Sequence, residues 1–378
     1  MKIGISAITA LAILSFGKLK VLSYLIYTFT DKQKPKNNEL RTFKIVGKGS
    51  LKSRAKAKGL IYGATPEADH QKFDRDLQLK SIFARECGLM VSTLHWDNIR
   101  PNINTFDFTK ADYFAKFAAS QKMLLRGHTL VWYNALPEWL PKTINSQNAE
   151  KILTNHIQTV VKRYAGKMHS WDVVNEPIEL KDGKSTFRNN IWAQFLGKDY
   201  IDLSFRIAAR SDPKALLVYN ETDLEYSEVH QVKTLKLLEQ LKSKGTPIHI
   251  LGIQSHLLSY RDDFNPQKFR KFLKNVASLG LKIMITELDV IDKHLPLDPN
   301  KRDRIVAGIY EDYLTAALAE KAVIGVVSWG LTDRYTWVND YIPREDRAPT
   351  RPLPFDRDYK PKLAWNAIAR AFERAPRR

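Results

Sequence analysis

Cysteine is almost missing from this chain of 378 residues, since Cys87 is the only one. One thiol cannot form an intramolecular disulfide, and it cannot supply the sulfur ligands of a cysteine-based zinc site. Glycine and proline are not enriched, at 17 residues each, which excludes collagen-like and low-complexity chains. Hydrophobic residues at 44% and aromatic residues at 11% provide enough apolar surface for a core, so a disordered chain is also excluded.

Acidic residues are in deficit, because 41 Asp and Glu face 60 Lys and Arg and leave a formal net charge of +19. Residues 31–58 alone carry ten basic and two acidic side chains, and a basic tail follows at Arg370, Arg374, Arg377 and Arg378. These basic runs lack interleaved aromatic residues and any nucleic-acid reading motif. We therefore expect no nucleic-acid partner, and instead a solvated basic face or adhesion to an anionic surface.

Two uncharged stretches, residues 3–17 and 21–30, lie at the N-terminus. A lysine followed by an apolar run is typical of a secretory signal, although no clear Ala-x-Ala cleavage site follows the run and no twin arginine precedes it. The basic segment that follows conflicts with export of an uncleaved anchor, because the positive-inside rule keeps such a segment cytoplasmic. We predict a signal peptide or membrane anchor over 1–30, which could associate with a membrane through residues 3–30, and a basic linker over 31–49. The chain is accordingly expected to be secreted or anchored facing outside the cytoplasm.

From about residue 50, short β-branched apolar runs alternate with segments of helical periodicity. The helical segments include 152–164 and 269–276, and Gly280 follows the second as a C-terminal cap. This alternation of eight strands with helices predicts an α/β fold, a single (β/α)8 TIM barrel over 50–378, with a doubly wound sheet as the alternative. The predicted strands are 60–64, 89–93, 123–127, 170–174, 216–219, 248–253, 282–285 and 323–328.

Polar and aromatic residues gather where most of these strands end. In a barrel, the C-terminal ends of the strands form one rim, and that rim carries the active site. Amides and carboxylates bind hydroxyl groups, and indoles cover the C–H faces of sugar rings, so the rim suits a neutral polyhydroxylated ligand. The strand-end clusters are 126–132, 172–177, 219–221, 254–256, 286–289 and 328–333.

Two carboxylates of this rim suit the cleavage of a glycosidic bond. Glu176 and Glu287 end the fourth and seventh strands, so they can face each other across the rim. The reaction needs one carboxylic acid to protonate the leaving oxygen and a second carboxylate to act at the anomeric carbon. A negative Glu287 would raise the pKa of Glu176, and its glycosylation would turn Glu176 into a base. His256 and Asp289 are predicted to keep Glu287 ionised and oriented.

A series of motifs in the expected order makes the chain resemble glycoside hydrolase family 10, the retaining endo-β-1,4-xylanases. The resemblance runs from about Leu51 to Phe372, and its most specific part is the Asn-Glu-Pro block at 175–177. The motifs are 51–64, 126–132, 171–177, 252–256, 285–289 and 329–337, with a closing segment around Asp356, Pro361 and Lys362.

The resemblance implies an enzyme that hydrolyses internal β-1,4-xylosidic bonds of xylan or xylo-oligosaccharides by double displacement, with no cofactor and no metal. It implies that Glu176 is the acid/base, that Glu287 is the nucleophile and that Asn175 contacts the sugar 2-hydroxyl. Asp289 is expected to orient the site residues without contacting the sugar. The other residues expected to bind substrate are His95, His128, Trp132, Gln254, His256, Trp329 and Trp337.

The chain departs from the family pattern on the glycone side of the cleft. This side binds the part of the substrate whose anomeric carbon takes part in the cleaved bond. The stretch 91–96 after the second strand lacks the usual Glu-Asn pair and carries His95 where a Lys is expected. Tyr133 and Ala135 stand where the family commonly has His and Gln. We expect altered glycone affinity or specificity. A carbohydrate-binding barrel with weak or lost hydrolysis, or a β-glycanase with shifted specificity, remains the alternative.

Several further residues are predicted to have structural roles or none. Cys87 is expected to be a small buried apolar group. Trp139 and Trp192 are predicted either to pack in the core or to form outer platforms for sugars, while His230 and His294 are given no role.

Overall fold

Eight parallel strands close into a barrel in the computed structural model, which describes residues 41–45 and 47–378. Apolar, β-branched runs form these strands because both of their faces are covered, one by the barrel interior and one by helices. The strands in chain order are β1 (Ile61–Ala64), β2 (Leu89–Thr93), β3 (Leu124–His128), β4 (Ser170–Asn175), β5 (Ile178–Lys181), β6 (Lys184–Phe187), β7 (Leu216–Glu221), β8 (Ile250–Ile253), β9 (His256–Leu258), β10 (Lys282–Ile291) and β11 (Val323–Ser328).

The barrel order is β1-β2-β3-β4-β7-β8-β10-β11, and parallel pairing of β11 with β1 closes the ring. The other strands lie outside it: β5 and β6 form an antiparallel hairpin directly after β4, and β9 pairs with the second half of β10. The predicted (β/α)8 barrel is therefore confirmed, and the doubly wound sheet is wrong.

Helices connect the strands and cover the outside of the barrel. They are α1 (Leu51–Lys56), α2 (His70–Arg75), α3 (Leu77–Glu86), α4 (Trp96–Ile99), α5 (Thr109–Ser120), α6 (Leu140–Thr143), α7 (Ala149–Arg163), α8 (Ile191–Leu196), α9 (Tyr200–Ser211), α10 (Glu228–Ser243), α11 (Pro266–Ser278), α12 (Pro299–Ala317), α13 (Val338–Tyr341) and α14 (Leu363–Arg374). A short 3-10 turn, Gly197–Asp199, joins α8 to α9.

Helix α11 shows how local sequence sets these elements. Asn265 caps its N-terminus by accepting a hydrogen bond from the Lys268 amide, and Pro266 occupies the first turn, where no amide donor is needed. Its apolar face is buried against the barrel, and Gly280 lies just beyond its end with a φ of +75°. The predicted helix over 269–276 is therefore confirmed within longer bounds.

Several strand boundaries differ from the prediction. The sixth strand was predicted to begin at residue 248, but β8 begins two residues later, at Ile250. The seventh was expected to end at Ile285, but β10 continues to Ile291 after a register shift between Ile285 and Leu288. The extension has a partner, because β9 pairs with it from Asp289 onward.

Alternation along the strands separates two cores. On β2, Leu89 and Val91 point into the barrel interior, whereas Met90 belongs to the larger core between the strands and the helices. The interior also holds Arg126, which contacts Met284 Sδ and forms an ion pair with Asp172. This buried pair lies directly below the rim where the predicted site residues stand.

The predicted targeting segment over 1–30 lies outside the described residues, and so do residues 31–40 and 46 of the predicted linker. Within that linker, Phe43 is buried and its carbonyl accepts a hydrogen bond from Asn366 Nδ2 at 3.0 Å. Among the helices that the structure describes, none is both long enough and apolar enough to cross a bilayer.

Candidate active site

Four of the predicted site residues come from the ends of three barrel strands. Asn175 ends β4 and Glu176 follows it, Gln254 follows β8, and Glu287 lies within β10. Because all barrel strands are parallel, these ends share one rim. Glu176 and Glu287 are each 5% exposed, so their carboxylates are largely shielded from water.

Asn220, at the end of β7, links the two carboxylates. Its Nδ2 donates to Glu287 Oε1 at 2.7 Å and to Asn175 Oδ1 at 2.8 Å, and its Oδ1 accepts from Thr286 Oγ1 at 2.7 Å. Gly252 makes room for it, since a Cβ there would come within 2.2 Å of Asn220 Oδ1. From the sequence, Asn220 could be placed on the rim, but no motif gave it a role.

Glu176 is held in a fixed direction by its backbone and by two amide side chains. Its φ of +50° lies in the left-handed region, and its amide donates to Asn220 O at 2.9 Å. Gln254 Nε2 donates to its Oε1 at 2.8 Å, and Asn175 Nδ2 donates to the same oxygen at 3.2 Å. The other carboxylate oxygen, Oε2, lies 3.7 Å from Arg188 Nη2.

The surroundings of Glu176 shift its pKa upward. Burial is the largest cause, and the negative charges of Glu221 and Glu287 act in the same direction. Arg188 and the hydrogen bond from Gln254 oppose the shift without cancelling it. A raised pKa suits a group that must carry a proton before the reaction starts.

Arg188, just after β6, is a site residue that the sequence analysis missed. Its Nε donates to Glu176 O at 2.9 Å, and its guanidinium carbon lies 4.1 Å from the centre of the Tyr133 ring. A second carboxylate, Glu179, lies 3.7 Å from its Nη1. No strand-end pattern marks Arg188, because the β5–β6 hairpin returns it to the site.

Glu287 has the opposite electrostatic environment. Burial alone would raise its pKa, but His128, His256 and the hydrogen bond from Asn220 lower it below its ordinary value. His256 Nε2 lies 3.2 Å from Glu287 Oε2, and His128 Nδ1 lies 3.9 Å from Oε1. Glu287 is therefore kept as a carboxylate, as a nucleophile requires.

Both histidines are oriented by further carboxylates. His256 Nδ1 lies 3.0 Å from Asp289 Oδ1, while Trp337 Nε1 donates to Asp289 Oδ2 at 2.7 Å. Burial would lower the pKa of His256, but Asp289 and Glu287 raise it well above its ordinary value. His128 Nδ1 lies 2.8 Å from Asp172 Oδ2, and Asp172 forms an ion pair with Arg126 in the barrel interior. The predicted contact among His256, Asp289 and Glu287 is thus present.

Aromatic side chains form the walls beside these carboxylates. Trp329 is half-buried, and its ring lies 5.0 Å from the ring of His128, while Trp337 lies 5.0 Å from His256. On the other side, Trp132 lies 5.3 Å from His95. The arrangement offers flat apolar faces around a charged centre, as a site for sugar rings requires.

The sequence profile of glycosyl hydrolase family 10 matches residues 50–371 of the chain. The chain belongs to glycosyl hydrolase family 10. The prediction of the family is therefore confirmed, and with it the prediction of a glycoside hydrolase.

Named relatives and solved structures agree with this assignment. The chain is 34% identical over 297 residues to "Endo-1,4-beta-xylanase B" of Thermotoga neapolitana, which covers 77% of this chain and 82% of that protein. It is 36% identical over 323 residues to "Endo-1,4-beta-xylanase A" of Caldicellulosiruptor saccharolyticus, and the match covers 82% of this chain and 92% of that protein. The crystal structure of native xylanase 10B from Thermotoga maritima superposes with a TM-score of 0.79 at 30% identity, covering 86% of this chain and 98% of that one.

A related family 10 structure was solved with a sugar. Xylanase 10B from Thermotoga petrophila in complex with xylobiose has a TM-score of 0.79 and 30% identity, and it covers 87% of this chain and 99% of that chain.

The departures from the family 10 pattern have physical consequences. Only Leu94 and His95 connect β2 to α4, so the loop after β2 is short. Burial lowers the pKa of His95 to about 3, so this ring is neutral where a Lys would be charged. The ring of Tyr133 stacks against the guanidinium of Arg188. Ala135 adopts a φ of +51°, and its carbonyl accepts a hydrogen bond from the Asp97 amide at 3.0 Å.

The remaining predictions concern packing and metals. Trp192 is fully buried and Trp139 is half-buried with its Nε1 donating to Arg100 O at 2.9 Å, which favours core packing for both. Cys87 is buried, as predicted. His230 is fully buried, with its Nδ1 3.0 Å from Ser185 Oγ. Among the described residues, no group of three or more His, Cys, Asp or Glu could hold a metal ion.

Proposed function

We propose that this endo-1,4-β-xylanase hydrolyses xylan by double displacement, with Glu176 as the acid/base and Glu287 as the nucleophile. The observation that carries the proposal is the hydrogen-bonded chain from Glu176 through Asn175 and Asn220 to Glu287. The two carboxylates at its ends have pKa values shifted in opposite directions, which supports proton transfer by Glu176 and nucleophilic attack by Glu287.

In the first step, the Glu287 carboxylate attacks the anomeric carbon while Glu176 gives its proton to the leaving glycosidic oxygen. The product is a glycosyl ester on Glu287 and a shortened chain with a free hydroxyl group. Esterification removes the negative charge of Glu287, which is one of the causes of the raised pKa of Glu176. Glu176 then becomes more acidic and can act as a base.

In the second step, Glu176 takes a proton from water, and the resulting hydroxide attacks the anomeric carbon. The ester bond breaks, Glu287 leaves as a carboxylate, and the sugar keeps its original anomeric configuration. His256 and His128 then again stabilise the released negative charge. No other reactant is needed.

The proposed substrate is a chain of β-1,4-linked xylose held by amides, imidazoles and indoles. Asn175 would contact the sugar 2-hydroxyl, a role that the family resemblance implies and that its position beside Glu176 supports. The other binding residues are proposed to be His95, His128, Trp132, Gln254, His256, Trp329 and Trp337. Indole faces would cover the C–H surfaces of the xylose rings.

The roles of the two carboxylates can be separated by the leaving group. Glu287→Ala is expected to abolish hydrolysis of both xylan and 2,4-dinitrophenyl β-xylobioside, because no nucleophile remains. Glu176→Ala is expected to slow xylan hydrolysis by at least about a hundredfold, in line with general acid catalysis, but to allow a burst of dinitrophenol, because that group leaves without protonation. Equal loss of the burst in both variants, or xylan hydrolysis by Glu287→Ala, would contradict the assignment.

We further propose that the N-terminal segment exports the enzyme, either as a cleaved signal or as an anchor through residues 3–30. The support is the pair of uncharged stretches, residues 3–17 and 21–30, and the polymeric substrate, which has to be met outside the cell. Fractionation of cells that express the full chain tests this. Activity confined to the cytoplasm would overturn it.

A further inference from the structure

The strand that carries Glu287 contains one residue more than the chain beside it. β10 pairs with β8 as far as Ile285, which lies opposite Ile253, and it pairs with β9 from Asp289, which lies opposite His256. Between these two pairs, β10 advances by four residues and the neighbouring chain by three. An extra residue of this kind forms a β-bulge, which changes the direction of the side chains beside it. The bulge therefore sets the direction in which Glu287 points.

Ser255 lies on the short side of this bulge, between the end of β8 and the start of β9. Its φ of +68° is in the left-handed region, which a residue with a side chain rarely adopts. Its carbonyl accepts from the Asp289 amide at 3.4 Å, and Gln254 O accepts from the Glu287 amide at 2.8 Å. The residues on either side of it, Gln254 and His256, contact the two carboxylates of the site. A change in the conformation of Ser255 would therefore move both contacts.

Tyr313 holds the side chain of Ser255 from the helix layer. This tyrosine belongs to α12, is 1% exposed, and its Oη lies 2.6 Å from Ser255 Oγ. The rings of Phe264 and Phe269 lie 5.6 Å and 5.3 Å from its ring, so packing holds the hydroxyl group in one place. Because it is buried, Tyr313 cannot contact the substrate itself.

We propose that Tyr313 is a positioning residue for the nucleophile. Its hydroxyl group holds Ser255 in the left-handed conformation, and Ser255 in turn maintains the bulge. The bulge aims Glu287 at the anomeric carbon and keeps His256 against it. Without the hydroxyl group, Ser255 can relax, so the geometry of attack worsens while the aromatic walls that bind sugar stay in place. The proposal rests on the role proposed above for Glu287.

The test is inactivation by a 2,4-dinitrophenyl 2-deoxy-2-fluoro-β-xylobioside, which needs attack by the nucleophile but no protonation of the leaving group. The maximum rate constant reports attack, and the half-saturating concentration reports binding. Tyr313→Phe keeps the ring and removes the hydroxyl group. Its maximum rate constant is expected to fall about tenfold, as expected for a misplaced reacting group, while the half-saturating concentration changes less than about twofold. An unchanged rate constant would overturn the proposal, even if the melting temperature falls.

Tyr310→Phe is the matched control on the same helix. Tyr310 lies one turn earlier on α12 and is fully buried, and its hydroxyl group donates to Pro352 O at 2.8 Å. Its loss should lower the melting temperature about as much as Tyr313→Phe does, because each variant loses one buried hydrogen bond. The inactivation rate constant should stay unchanged. A similar fall in this rate constant in both variants would show a general loss of stability and would overturn the proposal.

Ser255→Ala tests whether the tyrosine acts through the serine. Ser255→Ala should slow inactivation as Tyr313→Phe does, and the double variant should be no slower than the slower single variant, because both changes remove the same contact. Losses that multiply in the double variant would overturn the proposal. The unaltered enzyme is measured first. If it is not labelled on Glu287, the proposed function fails, whereas normal labelling in Tyr313→Phe defeats only the positioning role.

Discussion

Replacing Arg188 with methionine should move the alkaline limb of the pH profile to higher pH. The guanidinium lies 3.7 Å from the carboxylate of Glu176, and its side chain is only 10% exposed, so water screens the pair weakly. Its charge stabilises the deprotonated form of Glu176 and thereby lowers the pKa of this acid. Methionine retains most of the aliphatic volume but removes the charge, so the pKa should rise further.

The structure sets the size of the shift. Two unit charges about 4 Å apart interact by about 4 kcal/mol at an effective dielectric constant of about 20. Since one pKa unit corresponds to about 1.4 kcal/mol, about three units is the upper bound. Arg188 is shared with Glu179 and with backbone carbonyls, so part of its charge is directed elsewhere. We expect a rise of about one unit in the pKa of Glu176.

The assay is the pH dependence of kcat/KM for xylo-oligosaccharides. Activity requires Glu176 protonated and Glu287 ionised, so the pKa of Glu176 sets the alkaline limb and the pKa of Glu287 sets the acidic limb. Arg188→Met should raise the alkaline limb and leave the acidic limb nearly unchanged. Tyr133→Phe, which keeps the ring under the guanidinium, is the control and should move neither limb. An alkaline limb that stays in place, or one that moves to lower pH, would refute the reasoning.

Three other substitutions test separate parts of the structure. Asn220→Ala removes a donor to Glu287, so kcat on xylan should fall by about tenfold or more, and an unchanged kcat would count against this contact. Trp192→Ala empties a fully buried position, so denaturant unfolding should show a loss of about 3–5 kcal/mol, and a loss within error would contradict core packing. Trp337→Phe keeps a ring but loses the donor to Asp289, so kcat/KM on xylobiosides should fall several-fold while the melting temperature changes little.

Sequence patterns predicted the barrel and the position of Glu176 and Glu287 on one rim, because both depend on local features. Eight β-branched runs appear as strands, and the polar residues that end them, including Glu176 and Glu287, share a rim in any closed parallel barrel. The same logic placed Asn220 on the rim. Its link between the carboxylates could not be predicted, because it depends on the space above Gly252.

Other features depend on contacts between distant segments, which no local pattern encodes. The β5–β6 hairpin brings Arg188 back to Glu176, and the pairing of β9 with β10 lengthens a strand that apolar residues alone would end earlier.

The most direct test of the central claim is covalent trapping of the nucleophile. A 2,4-dinitrophenyl 2-deoxy-2-fluoro-β-xylobioside should inactivate the enzyme and add one fluoroxylobiosyl group. Tryptic digestion and fragmentation should locate this group on Glu287 within peptide 283–293. A glycosyl adduct on a different carboxylate, or hydrolysis of xylo-oligosaccharides with inversion at the anomeric carbon, would contradict the account.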